Sequence, residues 1–319
     1  MKLVTYKFNG KEYVGVVTPS GNAVVPVNSF GYDYADMNDL IDRADASALK
    51  DIKAKSAISN GEISLENVEL MAPIPVPKQE VICVGVNYME HAVESARYKK
   101  EEFNGERPYP VYFCKRVNIA TPDGGFIDGH FDIQNTLDYE SELAVIIGKD
   151  ADRVSKEDAF DYVFGYTIIN DVTAREFQKR YKQFYFAKSL ETFTCMGPWI
   201  VLKEDLPIPP AQHIMSRVNG ETRQDNNTAN MIFDIPYLIS ELSHGMVLKA
   251  GTIISTGTPS GVGMGFDPPK FMHPGDVVEH TKFGQGTVIT VEDNILTVVF
   301  VSVGAKKMAK DLAPLTKVE

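Results

Sequence analysis

The segment DYESELAVIIGK, residues 138–149, ends as a β-branched apolar run of the kind found in a buried strand, yet opens with Asp138, Glu140 and Glu142 at alternating positions. Side chains at i and i+2 of a strand share a face, so Glu140 and Glu142 lie about 7 Å apart along the backbone and can converge. Two carboxylates about 6 Å apart repel by roughly 3 kcal/mol at an effective dielectric of 20, so ionised neighbours of this kind want a cation between them. A second strand-like run, VFGYTIIN (163–170), breaks at Asn170 and Asp171 before turning into TAREFQKR. Three hard oxygens from two strand ends describe a Mg²⁺ or Mn²⁺ site, with water or substrate completing an octahedron. Zinc would recruit His or Cys, and neither lies beside these acids. The alternative is that the acids line a solvated sheet face, and an isolated ExE is read that way.

Outward from this segment, further strand signals recur at VICVGV (81–86), GPWIVL (197–202), GTIIST (251–256) and NILTVVFVSV (294–303). Few helices intervene. The clearest is DIPYLISELSHG (234–245), where Pro236 suits the first turn, Ile235, Leu238, Ile239 and Leu242 share a face, and Gly245 supplies the stop. Strands do not alternate regularly with helices, so a β-rich α+β class is expected rather than a doubly wound sheet. Residues 1–70 read as a small N-terminal β-containing domain and 71–78, with Pro73, Pro75 and Pro77, as an extended linker. Residues 79–319 then form the catalytic domain.

A formal net charge of -11 argues against nucleic acid or an anionic membrane as partner, because both need a basic field. A small anionic substrate would have to be met by locally placed cations. MKLVTYKFNG lacks the apolar core of a signal peptide and no apolar run is long enough to span a bilayer, so a cytoplasmic protein is expected. Cys83, Cys114 and Cys195 show no CxxC spacing and suggest neither disulfides nor thiolate zinc. Nucleotide motifs fail on spacing: GVGMGF is not GxGxxG, and GTPSG is not a nucleophile elbow.

In order along the chain, VICVGVNYMEHAVE, PVYFCK, DYESELAVIIGK, DYVFGYTIINDVTAREFQ, FAKSLETFTCMGPWIV, VNGETRQ, ISTGTPSGVG and HPGDVVE resemble the fumarylacetoacetate hydrolase superfamily. Within it the chain is most similar to the short bacterial branch of acylpyruvate hydrolases and oxaloacetate decarboxylases, over about residues 79–303. The resemblance implies a mixed β-sandwich/β-roll catalytic domain, a homodimer, and a metal held by Glu140, Glu142 and Asp171. It also implies that His91 and Glu94 of NYMEHAVE form a dyad on a lid helix over the metal. Three residues apart, the two sit side by side on a helical turn, where a carboxylate can orient the imidazole as a general base. By the same resemblance, Lys188 of FAKSLET would bind a substrate carboxylate or a developing enolate. Arg175 and Gln178 of TAREFQ start one turn beyond Asp171; Gln178 would contact substrate oxygens, whereas Arg175 either does so too or buttresses the acids. Gly257 and Thr258 lie in a glycine-rich turn whose N–H groups can approach an anion.

The activity implied is divalent-metal-dependent cleavage of a C–C bond in a small 2-oxo acid, with the cation stabilising a pyruvate enolate. In the hydrolase version, water activated by His91 and Glu94 attacks the C4 carbonyl of an acylpyruvate. In the decarboxylase version, oxaloacetate loses CO₂ and no water attacks. Isomerase or lyase chemistry, and a non-catalytic 2-oxo acid binding protein, stand as further alternatives.

Overall fold

The computed structural model describes residues 1–59 and 61–280 and, beyond them, only strand residues 284–289, 291–292 and 295–296. The first seventy residues form β1 (Lys2–Phe8), β2 (Lys11–Val17), β3 (Ala23–Pro26), α1 (Met37–Arg43), α2 (Ala46–Ser56), β4 (Ile63–Ser64) and β5 (Glu69–Leu70). Asn9 and Gly10 both take positive φ between β1 and β2, the two-residue turn that matches the right-handed twist of a hairpin. The side chains of Asp36 and Asp45 cap α1 and α2 by accepting from Asp39 N and Ala48 N.

After the proline segment come β6 (Val81–Gly85), α3 (Met89–Lys99), β7 (Val111–Lys115), β8 (Phe126–Asp128), β9 (Leu137–Asp138) and β10 (Ser141–Ile147). They are followed by β11 (Val163–Asp171), β12 (Thr173–Ala174), α4 (Arg175–Tyr181), α5 (Phe184–Lys188), β13 (Thr194–Leu202), β14 (His213–Val218) and β15 (Glu221–Asn227). Last come α6 (Ile235–Gly245), β16 (Ile253–Ser255), β17 (Val277–His280) and β18 (Gly284–Ile289). The β-rich α+β class expected from the sequence is therefore found. The strand expected over 294–303 lies outside the described residues except for Ile295–Leu296, which pairs with Val291–Glu292. In α6 the expected apolar face is buried and Asp234 caps the start, but Gly245 is still helical and the extended Met246 ends the helix.

The main sheet has eleven strands in the order β4-β3-β2-β1-β13-β11-β10-β16-β6-β7, with β5 added to β1. All its pairings are antiparallel except β16 with β6. A second sheet runs β15-β14-β17-β18-β8. The N-terminal strands are continuous with the rest of the main sheet, since Lys2 and Leu3 pair with Val201 and Ile200. Leu3, Val14, Val16 and Leu40 share one core with Cys83, Ala144, Ile146 and Ile200.

The stretch expected to link the two parts bends over residues 73–76, with residues 71–75 buried. Met71 N donates to Thr5 O at 2.9 Å, and the proline-rich part beyond it presents carbonyls to its neighbours. Thr5 Oγ1 donates to Pro73 O at 2.7 Å and Ala120 N to Pro75 O at 2.8 Å.

The pairing that positions the site is β10 against β11. Its antiparallel register sets Ser141 opposite Asn170 and Glu142 opposite Ile169, so the start of one strand lies beside the end of the other. Apolar side chains of the two strands fill cores on both faces of the sheet, which fixes that register, because a one-residue slip would turn each set to the wrong side.

One prediction concerns the continuity of the sheet. Leu3→Ala should lower stability by about 2–4 kcal/mol, the usual cost of truncating a fully buried leucine. The single tryptophan, Trp199, lies on β13 with the Lys2 ammonium 4.2 Å from its ring. Its fluorescence transition and the far-UV dichroism transition should therefore move together in denaturant; separate transitions would contradict a shared core.

Candidate metal centre

Glu140, Glu142 and Asp171 converge, each offering a carboxylate oxygen within 4.8 Å of the other two, and all three are buried. The cause is local. Glu140 immediately precedes β10, Glu142 is its second residue and Asp171 ends β11, with Asp171 N donating to Glu140 O at 2.8 Å. The acids therefore do not line a solvated sheet face.

Asp138 does not join them. The chain leaves β9 before β10 begins, and β9 pairs with β12 instead, which turns Asp138 toward α4 and the loop after β16. Its carboxylate accepts from Gly263 N at 2.6 Å, Met264 N at 3.0 Å and Arg175 Nε at 2.7 Å.

Among the described residues, three cations serve three of these four acids. Arg175 bridges Asp138 and Glu140, with Nη2 2.6 Å from Glu140 Oε1, so it buttresses the acids. Lys188 Nζ lies 2.7 Å from both Glu140 Oε2 and Asp171 Oδ2. Lys115, fully buried at the end of β7, holds the other oxygen, Asp171 Oδ1, at 2.5 Å and donates to Phe193 O at 2.7 Å. Burial alone would push the Glu140 carboxyl up, but Lys188 and Arg175 outweigh it and hold it well below the usual carboxylate range. Burial would likewise lower the Lys188 ammonium, and Asp171 and Glu140 more than reverse that.

Glu142 is served differently. No cation touches it, and its Oε2 accepts from Ser255 Oγ at 2.6 Å and Gly257 N at 2.9 Å. Burial, with the charges of Asp171 and Glu140, pushes its pKa up to about 8. The cluster is thus short of positive charge at Glu142, and the donors are all hard oxygens. Both facts fit a divalent cation of the Mg²⁺ or Mn²⁺ kind, with Lys188 already standing between two of the three ligands as a cation would.

Over the acids lies a cavity of about 30 Å³, walled among others by Val84, Gly85, His91, Ser95, Lys99, Phe113, Gln178, Phe184, Lys188, Thr258 and Met264. That is room for about two waters as it stands. His91 reaches it from α3, with Nδ1 2.8 Å from Glu94 Oε2. This hydrogen bond assigns the proton to Nδ1 and leaves Nε2 as the free lone pair. Glu94 is fixed in turn by Gly261 N at 3.0 Å. Asn87 anchors the entry to α3, donating to Phe233 O and Thr256 O and accepting from Phe233 N.

Gln178 lines the cavity but its Oε1 accepts from Arg175 Nη1 at 3.2 Å. Thr258 faces the cavity while donating to Ser141 O at 3.0 Å and accepting from Gln224 Nε2 at 2.6 Å. In the glycine-rich turn, the anions met by backbone N–H groups are the protein's own Glu142 and Glu94 carboxylates, through Gly257 and Gly261. Sequence reasoning missed Lys115, Asn87 and Ser255 as supports of the site. The quoted motifs contained all three, but nothing in their spacing showed which were buried.

Among known families, the model for "Fumarylacetoacetate (FAA) hydrolase C-terminal" matches residues 80–291. A second model, "PcrA/UvrD tudor domain", matches 275–317, most of which lies beyond the described residues. Oxaloacetate tautomerase YisK of Bacillus subtilis is 49% identical over 226 residues, covering 70% of this chain and 73% of that protein. The solved fumarylacetoacetate hydrolase of Exiguobacterium antarcticum is 35% identical with a TM-score of 0.76, covering 91% of this chain and all of that one. A 5-carboxymethyl-2-hydroxymuconate delta-isomerase structure from Mycobacterium smegmatis is 28% identical with a TM-score of 0.67, covering 91% and 99%.

Two predictions follow from the charges and the packing. Because the folded, metal-free protein holds a proton on Glu142 up to about pH 8 while an ordinary glutamate releases it near 4.5, this group lowers metal-free stability as pH rises between those values. A divalent ion must displace that proton. Mn²⁺ affinity should therefore rise by roughly tenfold per pH unit between pH 6 and 8 with release of about one proton, read by calorimetry in buffers of different ionisation enthalpy. Glu142→Gln should abolish both the pH dependence and the tight binding.

Separately, a Cβ at Gly265 would fall 1.8 Å from Glu94 Oε1. Gly265→Ala should displace the Glu94 carboxylate and lower turnover by roughly 10- to 100-fold, at the low end of a general base's contribution. Mn²⁺ affinity should stay unchanged in the same calorimeter.

Proposed function

The chain belongs to the fumarylacetoacetate hydrolase family, and on that premise we propose that it is a divalent-metal-dependent enzyme of a small 2-oxo acid whose central step moves a proton at C3, with oxaloacetate keto–enol interconversion as the reaction. The observation that carries this reading is His91, oriented by Glu94, walling the same small cavity as Glu140 and Glu142 of the buried acidic triad, with Glu142 touched by no cation among the described residues.

Bound at Glu140, Glu142 and Asp171, a Mg²⁺ or Mn²⁺ ion would supply Lewis acidity toward the 2-oxo group. The chain's own residues do the rest. Glu94 keeps the His91 proton on Nδ1, so Nε2 is a base on the cavity side and can take the proton from C3. The 2-oxygen gains a proton from cavity water to complete the enol, and His91 returns its own to solvent. Lys188, once displaced from between Glu140 and Asp171, is a desolvated ammonium able to hold the substrate's 1-carboxylate. Gln178 and Thr258 line the same cavity and would orient substrate oxygens.

Acylpyruvate hydrolysis and oxaloacetate decarboxylation can use the same groups. Hydrolysis would need room for an acyl chain and an attacking water together, beyond what keto–enol interconversion requires. A homodimer is part of the proposal, supported by the exposed Val111, Tyr185 and Phe186 on and beside the edge strand β7.

The test monitors loss of the C3 protons of oxaloacetate in D₂O by NMR, with pyruvate assayed in parallel and an acylpyruvate as the second substrate. With Mn²⁺ present, C3 exchange should exceed the uncatalysed rate without stoichiometric pyruvate, and His91→Ala should reduce it at least about 100-fold. Full activity in exhaustively chelated protein, or pyruvate as the main product from either acid, would overturn the tautomerase reading.

A further inference from the structure

We propose that Lys99 is the specificity-determining residue that selects a 2-oxo acid with a second carboxylate, by receiving the carboxylate at the end remote from the metal site; this rests on the function proposed above. The argument begins with charge. Three cationic side chains reach the cavity: Arg175, Lys188 and Lys99. Arg175 is committed to Asp138 and Glu140, and Lys188 to Glu140 and Asp171. Lys99 has no acidic partner among the described residues. With Lys188 given to the substrate's 1-carboxylate in the reading above, Lys99, exposed at the rim, is the remaining cavity cation for a second charge, in a protein whose net charge of -11 offers no general attraction to an anion.

Placement agrees with this. His91, Ser95 and Lys99 are spaced i, i+4, i+8 on α3 and all line the cavity, so one face of the helix is presented to it. The Cα atoms of His91 and Lys99 are about 12 Å apart along the axis, and helical side chains lean toward the N-terminus, which carries the Lys99 ammonium back over the turn of Ser95. The order along the helix is base, hydroxyl, ammonium. In a C4 substrate the far carboxylate is bonded directly to the reacting C3, so with C3 at His91 it is met by Lys99 as that side chain, exposed at the rim, extends back along the helix past Ser95. The walls near that path include the apolar Phe113 and Met264, and the Lys188 ammonium, 5.2 Å from the Phe113 ring, is held on the side of Glu140 and Asp171.

Lys99 also sits in the last turn of α3, where a cation stabilises the helix end. Arg97 occupies the same turn and donates to Gly265 O, so it already ties that end of the helix to its neighbour.

The experiment separates the roles. In a His91→Ala background, which prevents turnover, binding of oxaloacetate and of 2-oxobutanoate to Mn²⁺-loaded protein is measured by titration calorimetry. The two acids differ in the far carboxylate. Lys99 should confer roughly tenfold or more preference for the diacid, the size of one charge-assisted hydrogen bond. Lys99→Gln should remove the preference, Lys99→Glu should invert it, and Lys100→Gln, altering the neighbouring exposed lysine, should leave it intact.

An equal preference in Lys99→Gln, a loss of melting temperature without a change of preference, or no binding of either acid overturns the inference. Preference for the diacid without C3 exchange in the wild-type protein overturns only the proposed reaction. Exchange without preference overturns only the role of Lys99.

Discussion

The structure turns on one electrostatic constraint: carboxylates buried together cannot all be ionised unless cations are buried with them. Four acids, Asp138, Glu140, Glu142 and Asp171, are packed where two strand ends meet, and only three cations are enclosed with them. Each cation is placed by a different element: Lys115 by β7, Arg175 by α4 and Lys188 by α5. The order of the main sheet and the packing of the two short helices against it can therefore be read as the means of delivering those charges. The carboxyl left without a cation is Glu142, whose pKa is pushed up to about 8.

The support of the acids is graded. Asp138, farthest from the cluster, is fully satisfied by backbone N–H groups and Arg175 and behaves as a fixed anchor. Asp171 is divided, with Lys115 on one oxygen and Lys188 on the other. Lys115 also bonds to Phe193 O, which ties it into the frame, whereas Lys188 is held only by the acids and the face of Phe113. One lysine is thus tied into the frame as well as to the acids, while the other is held by the acids and one aromatic face among the described residues.

The same economy governs the glycine-rich turn after β16. Its N–H groups donate to Glu142 and Glu94, the two site acids that no lysine or arginine touches among the described residues. Gly257 and Gly261 are required there because both take positive φ, and a Cβ at either would meet backbone atoms at under 3 Å. One turn therefore steadies both the acidic cluster, through Glu142, and the His91–Glu94 pair.

The sequence by itself determined the β-rich class, the burial of 141–147 and the pairing of Glu140 and Glu142, because strand periodicity and apolar runs are local properties. The ordered motifs carried the family, and with it Asp171, His91 and Glu94. Local pattern could not show that Asp138 departs from its two neighbours, since that depends on β9 pairing with β12 rather than continuing into β10. Nor could it show that residues 1–70 extend the catalytic sheet through β13, a contact between residues about 200 positions apart. Lys115 reads in the sequence as an ordinary strand-end lysine. Only the fold, by burying it against Asp171, turns it into part of the site. Which lysine is committed and which is free is settled by where the acids lie in three dimensions, and charge neutrality in a buried volume is a property of the assembled protein, not of any one segment.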